Sequence, residues 1–210
     1  MENNVPTSVM DQAVERGLRG RRASATDEVR RLVESALSLI QQTGDLEPRV
    51  SQIVKQAGLH NQAFYRHFRS KHELLVAVLD QGIGLLASYL RHRMDGAGTP
   101  RDRVREWLRG MLEQALSPVA AEATRPFVLA RGRLAEAYPD EVRDSERQLT
   151  APLRAALQAG SSPDPEGEAE ILYLLAMGWV QNRLLDSVLA SPEDAAALEA
   201  FAMAGLARES

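Results

Sequence analysis

The sequence predicts an all-α protein: an N-terminal three-helix helix-turn-helix domain, joined by a long helix to a larger C-terminal helical domain. Three observations predict it. Apolar residues recur at three- and four-residue spacing along most of the chain. Breakers and capping residues divide that pattern into segments of helical length. No alternating strand pattern of useful length, internal repeat or low-complexity tract interrupts it.

Val29, Leu32, Val33, Ala36, Leu37 and Ile40 share one face of a helix of about four turns that stops near Gly44. Val50, Ile53, Val54 and Ala57 repeat the pattern over two turns. Pro48 suits the first turn of this second helix, and Gly58 suits the left-handed residue past its end. A short third helix follows, in which Ala63, Phe64 and Phe68 can face inward. Ser70 is placed to cap the long fourth helix, whose apolar residues run from Leu74 to Leu90. "MDGAGTP" (94–100) is a break, and Thr99-Pro100 signals a further helix through about Leu116. Helical stretches over roughly 119–137, 140–159, 166–190 and 193–208 complete the chain, separated by "YPD", "GSSPDPEG" and "SPED".

At 210 residues the chain can bury a real core, and its 44% hydrophobic and 26% charged residues are ordinary for a globular protein. No uninterrupted apolar run approaches the roughly 18 residues that span a bilayer, and the polar N-terminus lacks a signal-peptide core. A cytoplasmic location with no membrane partner is therefore expected. With no cysteine, disulfides, thiolate nucleophiles and thiolate zinc sites are excluded. His60 and His67 stand seven apart with no acid between them, so no metal site is expected. No Ser-His-acid set or glycine-rich phosphate loop stands out, and no cofactor is expected.

The net charge of −4 conceals an asymmetry. Pro48 to His72 contains Arg49, Lys55, Arg66, Arg69 and Lys71 and no acid. A cationic island on an acidic chain fits a local polyanion contact, or a plain solvated face. Its position favours the former. Two short helices joined by "AGLHN" form a helix-turn-helix, whose second helix enters the DNA major groove. With Phe64 and Phe68 inward, His60, Asn61, Gln62, Tyr65 and Arg66 lie on or near the opposite side. Asn and Gln can bond adenine bidentately, and His and Arg can donate to guanine. Tyr65, His67, Arg69 and Lys71 are of types that contact phosphate. Upstream, "RGLRGRR" places Arg16, Arg19, Arg21 and Arg22 in seven residues with Gly17 and Gly20 for flexibility. Such an arm can enter an A·T-rich minor groove, or simply solubilise the chain.

Residues 27–80, an amphipathic first helix ending in Gly44 and then "VSQIVKQAGLHNQAFYRHFRSKHELLVAVL", resemble the TetR family of bacterial transcriptional regulators. The resemblance implies base-reading positions at Asn61, Gln62 and Ala63. It implies phosphate-contacting positions at Tyr65, His67 and Lys71, and DNA contacts at Arg49 and Ser51 where the second helix opens. The hydroxyl residues common at the starts of the second and third helices are replaced by Pro48-Arg49 and His60. By the same resemblance residues 1–24 are a flexible basic arm, 25–71 the DNA-binding domain, and 72–210 a ligand-binding and dimerisation domain.

In that larger part Trp107, Met111, Phe127, Tyr173 and Met177 are large or adaptable side chains on the helices that would enclose a ligand, or are plain core. Arg125, Arg131 and Arg133 flank the apolar "PFVLA", suiting an anionic amphipathic effector or forming a surface helix edge. "EILYLLAMGWV" and the 193–208 helix can pair with a second copy as a four-helix interface. The expected function is a homodimeric, non-enzymatic DNA-binding regulator. It would most naturally be a repressor on a palindromic operator, released by a small hydrophobic, optionally anionic, effector. An all-α enzyme or carrier acting on a hydrophobic small molecule is the alternative.

Overall fold

A computed structural model describes residues 9–45, 47–186 and 190–206. Among these residues there are nine helices and no strand: α1 (Val9–Thr43), α2 (Val50–Gln56), α3 (Asn61–His67), α4 (Lys71–Asp95), α5 (Pro100–Leu116), α6 (Pro118–Ala137), α7 (Pro139–Ala159), α8 (Pro165–Leu185) and α9 (Pro192–Gly205).

Local chemistry sets most of the ends. Ser70 accepts a hydrogen bond from the Glu73 amide, and the Glu73 carboxylate accepts one from the Arg69 amide, which fixes the start of α4. Thr99 caps α5 through the Asp102 amide with Pro100 in the first turn. Gly44 and Gly58 take positive φ of 66° and 63° where the sequence requires a sharp turn.

Three boundaries differ from expectation. α1 is 35 residues long, because the stretch expected to be a flexible arm is helical from Val9. Gly17 and Gly20 cost about 1 kcal/mol each relative to alanine, and the surrounding Arg, Leu, Ala, Glu and Gln are good enough helix formers to carry the helix through them. Pro48 is buried and precedes the cap of α2, Arg49, rather than starting the helix. The helix expected to reach residue 190 ends at Leu185.

The apolar residues form separate cores. One gathers Leu32, Ala36 and Ile40 of α1 with Ile53, Phe64, Phe68, Leu74 and Val78. A second, larger one gathers Leu90 and Met94 with Trp107, Leu108, Met111, Leu149, Leu153, Leu172 and Ala176. α4 contributes its first two turns to the former and its last two to the latter. It is long and apolar enough to cross a membrane by length and composition, a property hidden from a count of unbroken apolar runs by Asp80 and Gln81. Its middle residues instead face the cavity described next.

Candidate nucleic-acid interface and apolar cavity

The turn between α2 and α3 closes as a Schellman motif: the Gly58 amide donates to Lys55 O at 3.2 Å and the Leu59 amide to Val54 O at 2.8 Å. Arg31 of α1 reaches across and donates to the carbonyls of Ala57 and Gly58, satisfying the end of α2 and fixing the angle between the helices.

That geometry presents one side of α3. His60, Asn61, Gln62, Tyr65 and Arg66 are exposed, as are Arg49 and Ser51 at the start of α2. Tyr65 is 65% exposed and stands edge-on to the buried Phe64, with ring centroids 5.1 Å apart. Core packing thus orients the ring and leaves its outer edge in solvent.

Other nominated residues are placed differently. Ala63 is 7% exposed, on the inward side with Phe64, so it offers no surface to a base edge in this arrangement. His67 is largely buried, its Nε2 lying 2.8 Å from Glu28 Oε2, and Arg66 meets the same carboxylate at 3.1 Å. The hydrogen bond from His67, aided by the Arg66 charge, holds the Glu28 carboxyl below its ordinary range. Lys71 Nζ lies 3.2 Å from both the backbone carbonyl and the carboxylate of Glu47. In the DNA-binding unit, two side chains of phosphate-contacting type are therefore already engaged by acids. Of the basic stretch, Arg19, Arg21 and Arg22 are exposed along α1, and the Arg16 side chain lies outside the described residues.

A cavity of about 530 Å³ opens between α1, α4, α5, α6, α7 and α8. α4 supplies Leu79, Gly82, Ile83, Leu85, Leu86 and Tyr89, and α1 supplies Leu37 and Gln41. Phe127, Arg131, Tyr173 and Met177 line it, as nominated from the sequence. Trp107 and Met111 do not. The cavity meets α5 only at Glu113, Gln114 and Ser117, while Trp107 is fully buried and donates from Nε1 to Leu149 O at 2.9 Å. Both residues are core.

The three arginines beside "PFVLA" also part company. Arg125 borders a second cleft, of about 550 Å³, with Gln42 and Arg183, and Arg133 pairs with Glu47 at 3.6 Å. Only Arg131 reaches the main cavity, where it is hydrogen-bonded to Glu146. Burial, the largest single influence, opposes the Arg131 charge, but the hydrogen bonds and charges of Glu146 and Tyr173 together outweigh it and its pKa rises. Burial, reinforced by the Glu146 charge, pushes the Tyr173 hydroxyl up to about 12, so it stays protonated. Glu113, Gln114 and Glu146 escaped sequence reasoning. The available signal was α4, whose apolar residues between Val78 and Leu90 exceed what one core-facing stripe needs.

Residues 32–78 match the family described as bacterial regulatory proteins, tetR family. The helix-turn-helix unit of this chain is thus similar to that of the TetR family. A curated relative, the HTH-type transcriptional regulator BetI of Rhizobium meliloti (strain 1021), is 35% identical over 78 residues, 37% of this chain. The chain thus spans only 38% of that relative's length. Whole-chain likeness lies in the fold. The fatty acid degradation regulator FadR from Bacillus halodurans superposes with a TM-score of 0.63 at 17% identity, over 87% of this chain and 97% of that one. FadR from Bacillus subtilis in complex with stearoyl-CoA gives 0.58 at 16% identity, over 85% and 97%.

Proposed function

We propose that this protein is a TetR-family transcriptional repressor that binds a near-palindromic operator as a homodimer and is released by a small hydrophobic effector. The observation carrying the proposal is the double role of α4. Its Ser70 cap fixes the end of the helix-turn-helix, and three to five turns later its side chains wall the cavity. A molecule filling the cavity presses on α4 and, through Leu37 and Gln41, on α1 of the DNA-binding unit itself. It shifts the equilibrium only by its preference for one arrangement of these helices.

On this reading residues 25–71 bind DNA and residues 72–210 sense and dimerise. Asn61 and Gln62 read bases, with His60 and Arg66 beside them. Arg49, Ser51, Tyr65, His67 and Lys71 hold phosphates, the last two after exchanging their acid partners for DNA. Arg19, Arg21 and Arg22 extend the cationic surface as an ordered helix rather than as a flexible arm.

Selection of bound sequences from a random duplex pool tests the proposal. Two inverted half-sites are expected, with two chains per duplex. Gln62→Ala and Asn61→Ala should each relax preference at one position of each half-site, costing about 1–3 kcal/mol there. Recovery of sequences without preference would refute operator reading.

A further inference from the structure

We propose that the cavity takes a cationic amphipathic effector: an apolar body bearing one positive charge, held by the carboxylate of Glu113. The inference rests on the reading of the cavity as an effector site and specifies the chemistry that site selects. Apart from tyrosines, the ionisable groups lining the cavity are Glu113, Glu146 and Arg131. Arg131 and Glu146 are hydrogen-bonded to each other and cancel. Tyr173 beside them is neutral. Glu113 leaves the wall with one net negative charge.

No side-chain hydrogen bond or ion pair engages Glu113 among the described residues, and its neighbours are committed elsewhere. Arg109, one turn earlier on α5, is bound to Glu106 at 2.9 Å and Glu199 at 2.8 Å. Ser117, one turn later, caps α6 through the Ala120 amide. Gln114 donates to Gly110 O and accepts from Thr124 at 2.9 Å. Arg93, close by on α4, is held by Glu106 at 2.8 Å and is not part of the wall.

An unpaired carboxylate on a mostly apolar wall has no fixed counter-charge, and a cation entering the cavity supplies one. The Phe127 ring on the same wall also favours a cation through its negative face. An anionic head would instead add a second negative charge, since the one lining arginine is neutralised. The cavity therefore differs in the charge it favours from that of a regulator loaded with an acyl-thioester.

Three probes of equal chain length separate charge from apolar burial: decyltrimethylammonium, decanol and decanoate, each below its micelle concentration, titrated calorimetrically into the full chain. Decyltrimethylammonium is expected to bind at least about tenfold tighter than decanol, and decanoate weakest of the three. Glu113→Gln should remove that tenfold advantage while leaving decanol within about twofold. Glu113→Asp, which keeps the charge, should retain the preference and guards against a Gln variant that fails to fold. Equal affinity for cation and alcohol, tightest binding of decanoate, or a cation preference that survives Glu113→Gln would overturn this inference while leaving the cavity reading intact. Binding of none of the three would overturn both.

Discussion

Glu28 and His67 lie 39 residues apart in sequence and 2.8 Å apart in space, the carboxylate of α1 meeting the imidazole at the end of α3. A carboxylate only accepts, so His67 Nε2 carries the proton. The same carboxylate draws Arg66 to 3.1 Å. The contact braces the reading helix, and it also places an anion beside two groups on the DNA-facing unit.

Glu28→Gln keeps the shape and removes the charge. Affinity for all duplex sequences should rise severalfold, with a salt dependence steeper by up to about one counterion, because Arg66 is freed for phosphate. The stability effect has a defined pH window. The Glu28 carboxyl is lowered in the folded protein from an ordinary 4.5, so its contribution is present above that value and disappears as pH falls through the folded one. Melting temperatures of wild type and variant should therefore differ near neutrality and draw together as pH falls below 4.5. Curves that stay parallel throughout that acid descent would remove the ion pair from the account.

Where the sequence was legible, the governing chemistry was local. Ser70, Thr99 and Gly58 announce their roles within four residues, because a cap or a left-handed turn is decided by neighbouring amides. Phe64 and Phe68 follow from helical spacing alone. What stayed hidden depended on distant partners. Nothing near Trp107 says that Leu149 will accept its indole proton, and nothing near Arg131 says that Glu146, fifteen residues on, will neutralise it. His67 and Lys71 have the residue types for phosphate, but their acid partners lie on α1 and the loop before α2. Which face of α5 meets the cavity is a property of how α4, α6 and α8 are arranged, and a single helix does not encode it.

Trp107 and Phe127 should separate core from cavity. Trp107→Ala should cost about 3–5 kcal/mol, chiefly from the large void left in the core. Phe127 lies against Gly82 of α4, its ring 3.4 Å from where a Cβ at that glycine would stand. Phe127→Ala should weaken effector binding and effector-driven release, with a smaller loss of stability because the ring is only partly buried. Denaturant titration and an effector-release assay on both variants check this. Full stability in Trp107→Ala would contradict the core assignment.

Two glycines should fail for different reasons. At Gly58 a methyl group meets a φ of +63° and the Arg31 guanidinium at 2.9 Å. Gly58→Ala should cost about 1–2 kcal/mol, mainly backbone strain, and loosen α3 against α1. At Gly110 the φ is ordinary, and helix propensity alone would favour alanine by up to about 1 kcal/mol. The added Cβ would, however, stand 2.6 Å from the buried Leu90 and 3.3 Å from Arg93, where α4 and α5 cross. Overpacking costs about 1–3 kcal/mol and should win, making Gly110→Ala net destabilising. Chemical denaturation of the two variants checks the magnitudes. A more stable Gly110→Ala protein would mean that the α4–α5 contact yields.

The outward faces of α8 and α9 carry the last prediction. Ile171, Leu174, Gly178 and Leu185 follow one exposed line along α8, and Ala197, Phe201 and Ala204 follow another along α9. Ile171 is 66%, Leu174 56% and Phe201 73% exposed in the single chain, large apolar groups on helices whose other faces are already packed. Large apolar groups left exposed in this way suit an association surface, and we predict that they form one. Gly178 has nothing within 4 Å of a Cβ position, so a helix from a second copy can approach closely there. A two-fold axis would bring the α8–α9 pair of one chain against that of the other as four helices, with Phe201 as a central anchor. Phe201→Glu and Leu174→Glu place charge on this face without touching either core. Light scattering should show monomers at micromolar concentration, with helix content unchanged by circular dichroism. Affinity for a full palindrome should fall toward that for an isolated half-site, because the second recognition helix no longer arrives with the first. If both variants remain dimers and keep full operator affinity, dimerisation runs through another face and these side chains are merely exposed.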